Sequence, residues 1–186
     1  LALNSAATLV VGAGNFFTAP YVEATPASLP ADLGVTPAAP WVNIGHTSIE
    51  DIFSVTSEGG EATSLGTLQA KTLRTTYSPR SEAFNIVLQQ FDLDSLRLYF
   101  GSNAAVGAGS ELQVPLSPEP TIASFLAIFI DGTNQFGFYA PKAEILRGDD
   151  LAIADSESLA GLPISVKPVA HASNGWAYAV TPLGAA

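Results

Sequence analysis

The chain has 186 residues, with 7 Lys and Arg against 17 Asp and Glu, a formal charge of −10. That length suits one domain, and 47% hydrophobic against 13% charged residues supplies ample core material, which excludes a disordered chain. The acidic balance excludes sequence-independent binding to phosphates, which needs clustered Lys and Arg. The lack of cysteine excludes disulfides, thiolate metal sites and a Cys nucleophile. A charged share this far below the usual ~25% needs an explanation, and one is that much of the surface is covered by partners. No apolar run reaches the ~18–20 residues that span a bilayer, so no membrane segment is expected. Residues 1–11 lack the basic stretch and long apolar run of a secretory signal, so none is expected there.

Residues 8–13 (TLVVGA) predict a short strand, Gly14 and Asn15 a turn or bulge, and residues 16–19 a second strand piece. Residues 20–40 hold five of the 13 prolines, which block both helix and interior strand. They predict an extended surface arm, either a free insertion or a segment that contacts a partner. Strand-like composition resumes over residues 41–56. Residues 57–66 (SEGGEATSLG) have no periodicity that could bury them and predict a long hairpin loop extending to residue 71. The return limb alternates, with Lys71, Leu73, Thr75 and Tyr77 on one face, until Ser78-Pro79-Arg80 interrupts it. Beyond the break Phe84, Ile86 and Leu88 face a core, and Asn85, Val87 and Gln89 face away.

One segment predicts a helix. Asp92 is its N-cap, Leu93, Leu96 and Phe100 recur at helical spacing, and Gly101 ends it. At about two turns it is too short to stand alone, so it must lie on a sheet. Residues 122–130 (IASFLAIFI) are apolar on both faces, as in a central strand. Asp131-Gly132-Thr133-Asn134 is turn chemistry, and residues 135–147 return as the second limb of a hairpin. Residues 148–161 predict an acidic loop, and 162–172 and 176–181 two last strands. The fold class is mainly β, with one short α-helix and long loops.

Motifs that carry chemistry fail on inspection. Gly12-Ala13-Gly14 follows strand-like residues, but Phe17 stands where a dinucleotide loop needs glycine and Pro20 prevents the required helix. Gly107-Ala108-Gly109 is a loop. Only His46 and His171 offer imidazoles, and neither lies in a zinc-ligand spacing or a recognisable triad context. No catalytic residue, cofactor or metal is predicted. Asp149, Asp150, Asp155 and Glu157 lack the alternating oxygen pattern and central glycine of a calcium loop, so a solvated acidic loop is the expectation and an ion site the alternative.

More specific signals run through residues 41–99: Ile44-Gly45-His46-Thr47-Ser48 with Glu50-Asp51, Ser57-Glu58-Gly59-Gly60-Glu61-Ala62-Thr63, and Arg74-Thr75-Thr76-Tyr77-Ser78-Pro79-Arg80, followed by residues 84–91. They continue in Asp131-Gly132-Thr133, Phe138-Tyr139-Ala140-Pro141-Lys142-Ala143-Glu144, Arg147-Gly148-Asp149-Asp150 and Leu159-Ala160-Gly161-Leu162-Pro163. In this order and spacing, over nearly the whole chain, they resemble the major tail (tail tube) protein family of long-tailed, non-contractile phages, especially those of mycobacteria. The resemblance implies a single tail-tube domain over residues 1–186, with two packed β-sheets in a sandwich or barrel and a flanking helix. It further implies hexameric rings stacked into a tube through which DNA passes without specific binding, with a tape measure protein and a tail terminator as partners. The location implied is the virion tail, after synthesis in the host cytoplasm. No catalytic residue comes with this family. The alternative is a non-enzymatic β-sandwich module for decoration or adhesion on a virion or cell surface.

Within that resemblance, the loop at 57–71 is expected to join adjacent rings through Glu58, Gly59, Gly60, Glu61, Leu65, Lys71 and Arg74. The arm is expected to lie on a neighbouring subunit through Tyr21, Val22, Leu29, Leu33 and Val35. Glu50, Glu58, Glu61, Glu82 and Asp131, each an acid in or beside a strand, are the candidates for an acidic lumen that lets phosphates slide.

Overall fold

A computed structural model describes residues 3–4, 7–151, 153 and 158–185. The strands are β1 (Ala13–Pro20), β2 (Val42–Asn43), β3 (Ser54–Gly59), β4 (Ala62–Leu65), β5 (Arg74–Tyr77), β6 (Arg80–Leu88), β7 (Ala105–Val106), β8 (Leu112–Gln113), β9 (Thr121–Asp131), β10 (Asn134–Arg147), β11 (Leu162–Pro168) and β12 (Ala179–Ala185). Among the described residues a single α-helix, α1 (Leu93–Phe100), lies between β6 and β7. The fold is mainly β with one short flanking helix, as the composition and pattern predict.

One antiparallel sheet of eight strands runs β2-β1-β9-β10-β11-β6-β3, with β12 pairing the start of β10, and β4-β5 and β7-β8 form separate ribbons. At its centre stand β9 and β10, joined by the predicted turn, with Gly132 at φ 60°. The two packed layers are halves of this one sheet. The ring of Phe84 on β6 lies 6.1 Å from that of Phe125 on β9. Three strand spacings separate those strands, about 14 Å in a flat sheet, so the sheet curls until its inner face meets itself. Phe16, Phe53, Phe129 and Phe138 fill the space between, in stacked, edge and tilted contacts. The curl does not close into a barrel. A strap at residues 44–48 bridges the gap, the Ile44 N–H donating to Phe16 O (3.0 Å) and the Ser48 N–H to Val87 O (2.8 Å).

The alternation read for β6 holds, with Phe84, Ile86 and Leu88 at most 1% exposed. The helix also begins and ends as predicted: Asp92 Oδ1 accepts from the Ser95 N–H (2.8 Å), and Gly101 closes it with φ 111°. Its most buried ring is Tyr99, whose hydroxyl donates to the Asp149 carbonyl (2.8 Å).

Several boundaries differ. The first strand is continuous over Ala13–Pro20, because apolar β9 offers a full ladder to the Gly14-Asn15 stretch, and no turn forms there. The strand expected from residue 8 starts at Ala13. Residues 57–59 and 62–65 are strand where a loop is expected, since pairing with β6 and β5 satisfies their backbone without burying a side chain. The return limb pairs as strand from Arg74, with Leu73 N–H donating to Leu65 O (2.9 Å). β11 stops at Pro168, short of residue 172. The last strand spans 179–185, where Pro182 is tolerated on an edge strand that pairs only β10.

Candidate assembly surfaces

The β4-β5 ribbon rises from the end of β3 and β6. Gly59 (φ 82°) and Gly60 (φ 74°) make the bend, and a Cβ on Gly59 would stand 2.2 Å from the Pro79 carbonyl oxygen, so a side chain there cannot fit. Beyond the bend the Glu61 N–H donates to Ser78 Oγ (2.9 Å) and the Ser78 N–H to Glu61 O (3.0 Å), tying the two limbs together. Along β4 and β5 every side chain is exposed except the half-buried Thr76. Leu65, Leu68, Leu73 and Tyr77 lie between 53% and 95% exposed. Four large apolar side chains thus stand in water on this ribbon, Leu65 on the face of its pair Arg74 and Tyr77 on the other. The predicted contact residues Glu58, Gly59, Gly60, Glu61, Leu65, Lys71 and Arg74 all belong to this ribbon or its base.

A second surface is the outer face of the curled sheet. Where β3, β6 and β11 turn their outer side chains away from the core, Ser54, Thr56, Glu58 and Lys167 are exposed, Asn85 is half-buried and Ser165 is 7% exposed. Asn85 Nδ2 donates to Thr56 Oγ1 at 3.2 Å across the strand pair. This is a polar, small-residue face, unlike the Phe-lined inner one.

The proline-rich arm packs on its own chain. Leu33 and Ala27, each 9% exposed, join Trp41 over Phe17, Leu126, Ile128 and Tyr139, on the outer face of β1, β9 and β10. The Tyr139 hydroxyl donates to the Ala27 carbonyl, and Trp41 Nε1 donates to Ser28 O (3.1 Å). Burial holds the Tyr139 phenol above its ordinary pKa, which keeps it a donor. Leu29 packs beside this cluster, and Tyr21 stands edge-on to His171 with Lys142 Nζ 5.0 Å from its ring centre. Of the five arm residues, Val22 (51%) and Val35 (62%) are the ones left to water.

The five acids proposed for a lumen do not share a face. Glu58 pairs across from Ser81 on the outer face, whereas Glu82 shares the parity of Phe84 and accepts a hydrogen bond from the Tyr178 hydroxyl on the inner side. That bond to Glu82 raises the Tyr178 pKa. Glu61 sits at the ribbon's base, and Glu50 on the segment leading to β3. Asp131, at the far end of β9, accepts from the Val10 N–H (3.0 Å). Asp149 and Asp150 are exposed, Asp150 pairing with Arg147 (3.1 Å), while Asp155 and Glu157 lie outside the described residues. Among the described residues no cluster of His and acids could hold a metal. His46 is exposed; His171 is 1% exposed, and its Nδ1 lies 2.7 Å from Ser173 Oγ. The two imidazoles therefore do not form one site.

Sequence reasoning missed two features. The exposed Val106, Val114 and Leu116, in and after the small β7-β8 ribbon, form further apolar surface, which the Gly107-Ala108-Gly109 loop alone does not signal. The charge inversion of the projecting ribbon was countable: residues 62–80 carry Lys71, Arg74 and Arg80 and no acid, leaving four bases against 17 acids elsewhere.

The sequence model of the phage tail tube protein family matches residues 1–181. Major tail protein Gp23 of Mycobacterium phage D29 is 31% identical over 183 residues, 92% of this chain and 89% of the relative. Major tail protein Gp23 of Mycobacterium phage L5 is 33% identical over 139 residues, 73% of this chain and 68% of the relative.

Proposed function

The chain belongs to the phage tail tube protein family, and from that premise we propose that it assembles into hexameric rings which stack, through the β4-β5 ribbon, into a conduit for DNA. As a member of that family it is a structural component of the phage tail, and so of the virion. The observation that carries the proposal is the ribbon itself, an exposed apolar and basic projection on an otherwise acidic subunit. Such a surface gains stability only when a second copy covers it. A tape measure protein and a tail terminator complete the assembly. No catalytic role is proposed.

The conduit wall is proposed to be the outer face of β3, β6 and β11. Its side chains are small and uncharged apart from Lys167 and Glu58, and Glu58 and Glu61 outnumber that one base where the face meets the ribbon, so the balance of charge repels phosphates. Glu82 is left out, since its carboxylate is engaged by Tyr178. Val22 and Val35 are proposed as the arm's contacts with a neighbour.

The test removes the ribbon without touching the body. Gly59 and Arg80 are a directly paired couple at the end of β3-β6, so an Asn-Gly turn can replace residues 60–79. The variant is expected to fold, by circular dichroism and a cooperative melt, yet to give no tubes in negative-stain images where the parent protein does. Tubes of normal length from this variant would refute the stacking role. For the wall, Thr56→Lys in phage particles, a change on the same face but outside the ribbon and its predicted contacts, should leave tails intact and slow DNA ejection, with the slowing relieved by salt. Unchanged ejection would place the lumen elsewhere.

A further inference from the structure

A cleft of about 600 Å³ opens at the end of the sheet opposite the β4-β5 ribbon, between residues 50–54, β6, residues 148–149 and the start of β11. Its lining is mixed: Ile52, Phe53, Val87 and Pro163 supply the apolar part, termed its floor, and Glu50, Asp51 and Asp149 the acidic part, termed its rim. No Lys or Arg lines it, and none of the three rim carboxylates has an ion-pair partner among the described residues. The rim is held in place. Ser48 Oγ accepts from the N–H groups of both Glu50 and Asp51 (3.2 Å each), and Tyr99 fixes the Asp149 carbonyl.

We propose that this cleft is the seat for the β4-β5 ribbon of a second copy of the chain. The inference rests on the tail-tube reading and names the surface that the ribbon meets. Charge complementarity carries it. Residues 62–80 are the basic segment of an acidic chain, and Lys71 and Arg74 are exposed with no ion pair among the described residues. Leu68 and Leu73, 95% and 68% exposed, supply apolar groups for the floor. An acidic rim repels phosphate, and a bare cation would have no use for the apolar floor; a basic and apolar peptide ribbon uses both.

Position makes the same point. Ser54↔Asn85 is the strand pair at the cleft, and Gly59↔Arg80 the pair at the ribbon. Five residue steps, about 17 Å, separate donor and receptor along the same two strands. A projection at one end and its socket at the other form a heterologous head-to-tail contact, which repeats without closing. Stacking along the direction of β3 and β6 then seats each ribbon in the next subunit's cleft.

The test is charge exchange in the full chain. Lys71→Glu with Arg74→Glu, and separately Glu50→Lys with Asp51→Lys and Asp149→Lys, should each reduce sedimentable polymer at least tenfold; all five changes together should restore it. Loss in both single sets without recovery in the combined chain overturns the inference. So does loss with the ribbon set alone, which leaves the stacking ribbon standing but seats it elsewhere. Full polymer from both sets would refute the ribbon's stacking role itself. Where a variant fails to fold, carbodiimide coupling of parent tubes decides. An intermolecular link from Lys71 to Glu50, Asp51 or Asp149 is expected by mass spectrometry, and Lys71 linked only to other acids would overturn the assignment.

Discussion

The arm at residues 20–40 offers a direct test of how the subunit is held together. Leu33 lies with its Cδ1 3.0 Å from where a Cβ on Gly137 would stand, so it rests on bare β10 backbone and is 9% exposed. Leu33→Ala removes that contact and leaves a gap which the strand cannot fill. Buried Leu→Ala changes cost about 2–5 kcal/mol, and with solvent on one side of the arm the lower half applies, about 2–3 kcal/mol. With a urea slope of about 2 kcal/mol/M, the unfolding midpoint should fall by about 1–1.5 M. Val35→Ala, at a side chain 62% exposed, should move it by less than about 0.25 M, the scale of a surface change of at most 0.5 kcal/mol. Fluorescence suits the measurement, because both tryptophans, Trp41 and Trp176, stand beside Tyr139, to which the arm is hydrogen-bonded. Equal midpoint shifts in the two variants, or none for Leu33→Ala, would refute the view that the arm is part of its own subunit's core. The same docking predicts that protease cuts the free subunit near residues 22–25 or 34–36 and spares residues 27–29.

Phe84→Ala, at the meeting point of the two halves of the sheet, should cost about 3–5 kcal/mol, read as a loss of 6–20 °C in melting temperature on the scale of about 2–4 °C per kcal/mol. Asp92→Ala should cost about 1 kcal/mol as a lost helix cap. The bond from the Ser95 N–H lowers the Asp92 pKa, so that contribution is present above the ordinary carboxylate value and is lost as pH falls through the lowered one. The stability gap between parent and Asp92→Ala, measured by urea titration, should therefore shrink on acidification below about pH 4, and a gap constant to pH 2 would count against the cap. Glu82→Gln should be mild and Glu82→Lys should lower the melting temperature, because the Tyr178 hydroxyl loses its charged acceptor, typically about 1.5–3 kcal/mol. A Glu82→Lys subunit as stable as the parent would mean that the carboxylate faces open space.

Much of the fold was legible because its causes are local. Period-two alternation named Phe84, Ile86 and Leu88 as core, Asp92 and Gly101 bounded the helix, and Asp131-Gly132 announced the β9-β10 turn, since each depends on dihedral preferences and hydrogen bonds within a few residues. The exposure of the polar, aperiodic stretch at 57–71 was likewise readable, because it holds no pattern that could bury it. What tertiary structure decided lies in pairing between distant segments. Residues 62–65 are strand only because β5 completes their hydrogen bonds, a fact invisible in a polar sequence without periodicity. The arm's target could not be read from Leu33, because burial needs the facing surface of β10, a hundred residues away. Glu58 and Glu82 both looked like acids beside a strand. The β3-β6 register sets their parity, and turning one residue along a strand reverses the face a side chain meets. The acidic cleft gathers residues 50–54, 85–87, 148–149 and 163–164, four segments that share no local pattern and are neighbours only because the sheet's ladder aligns their ends.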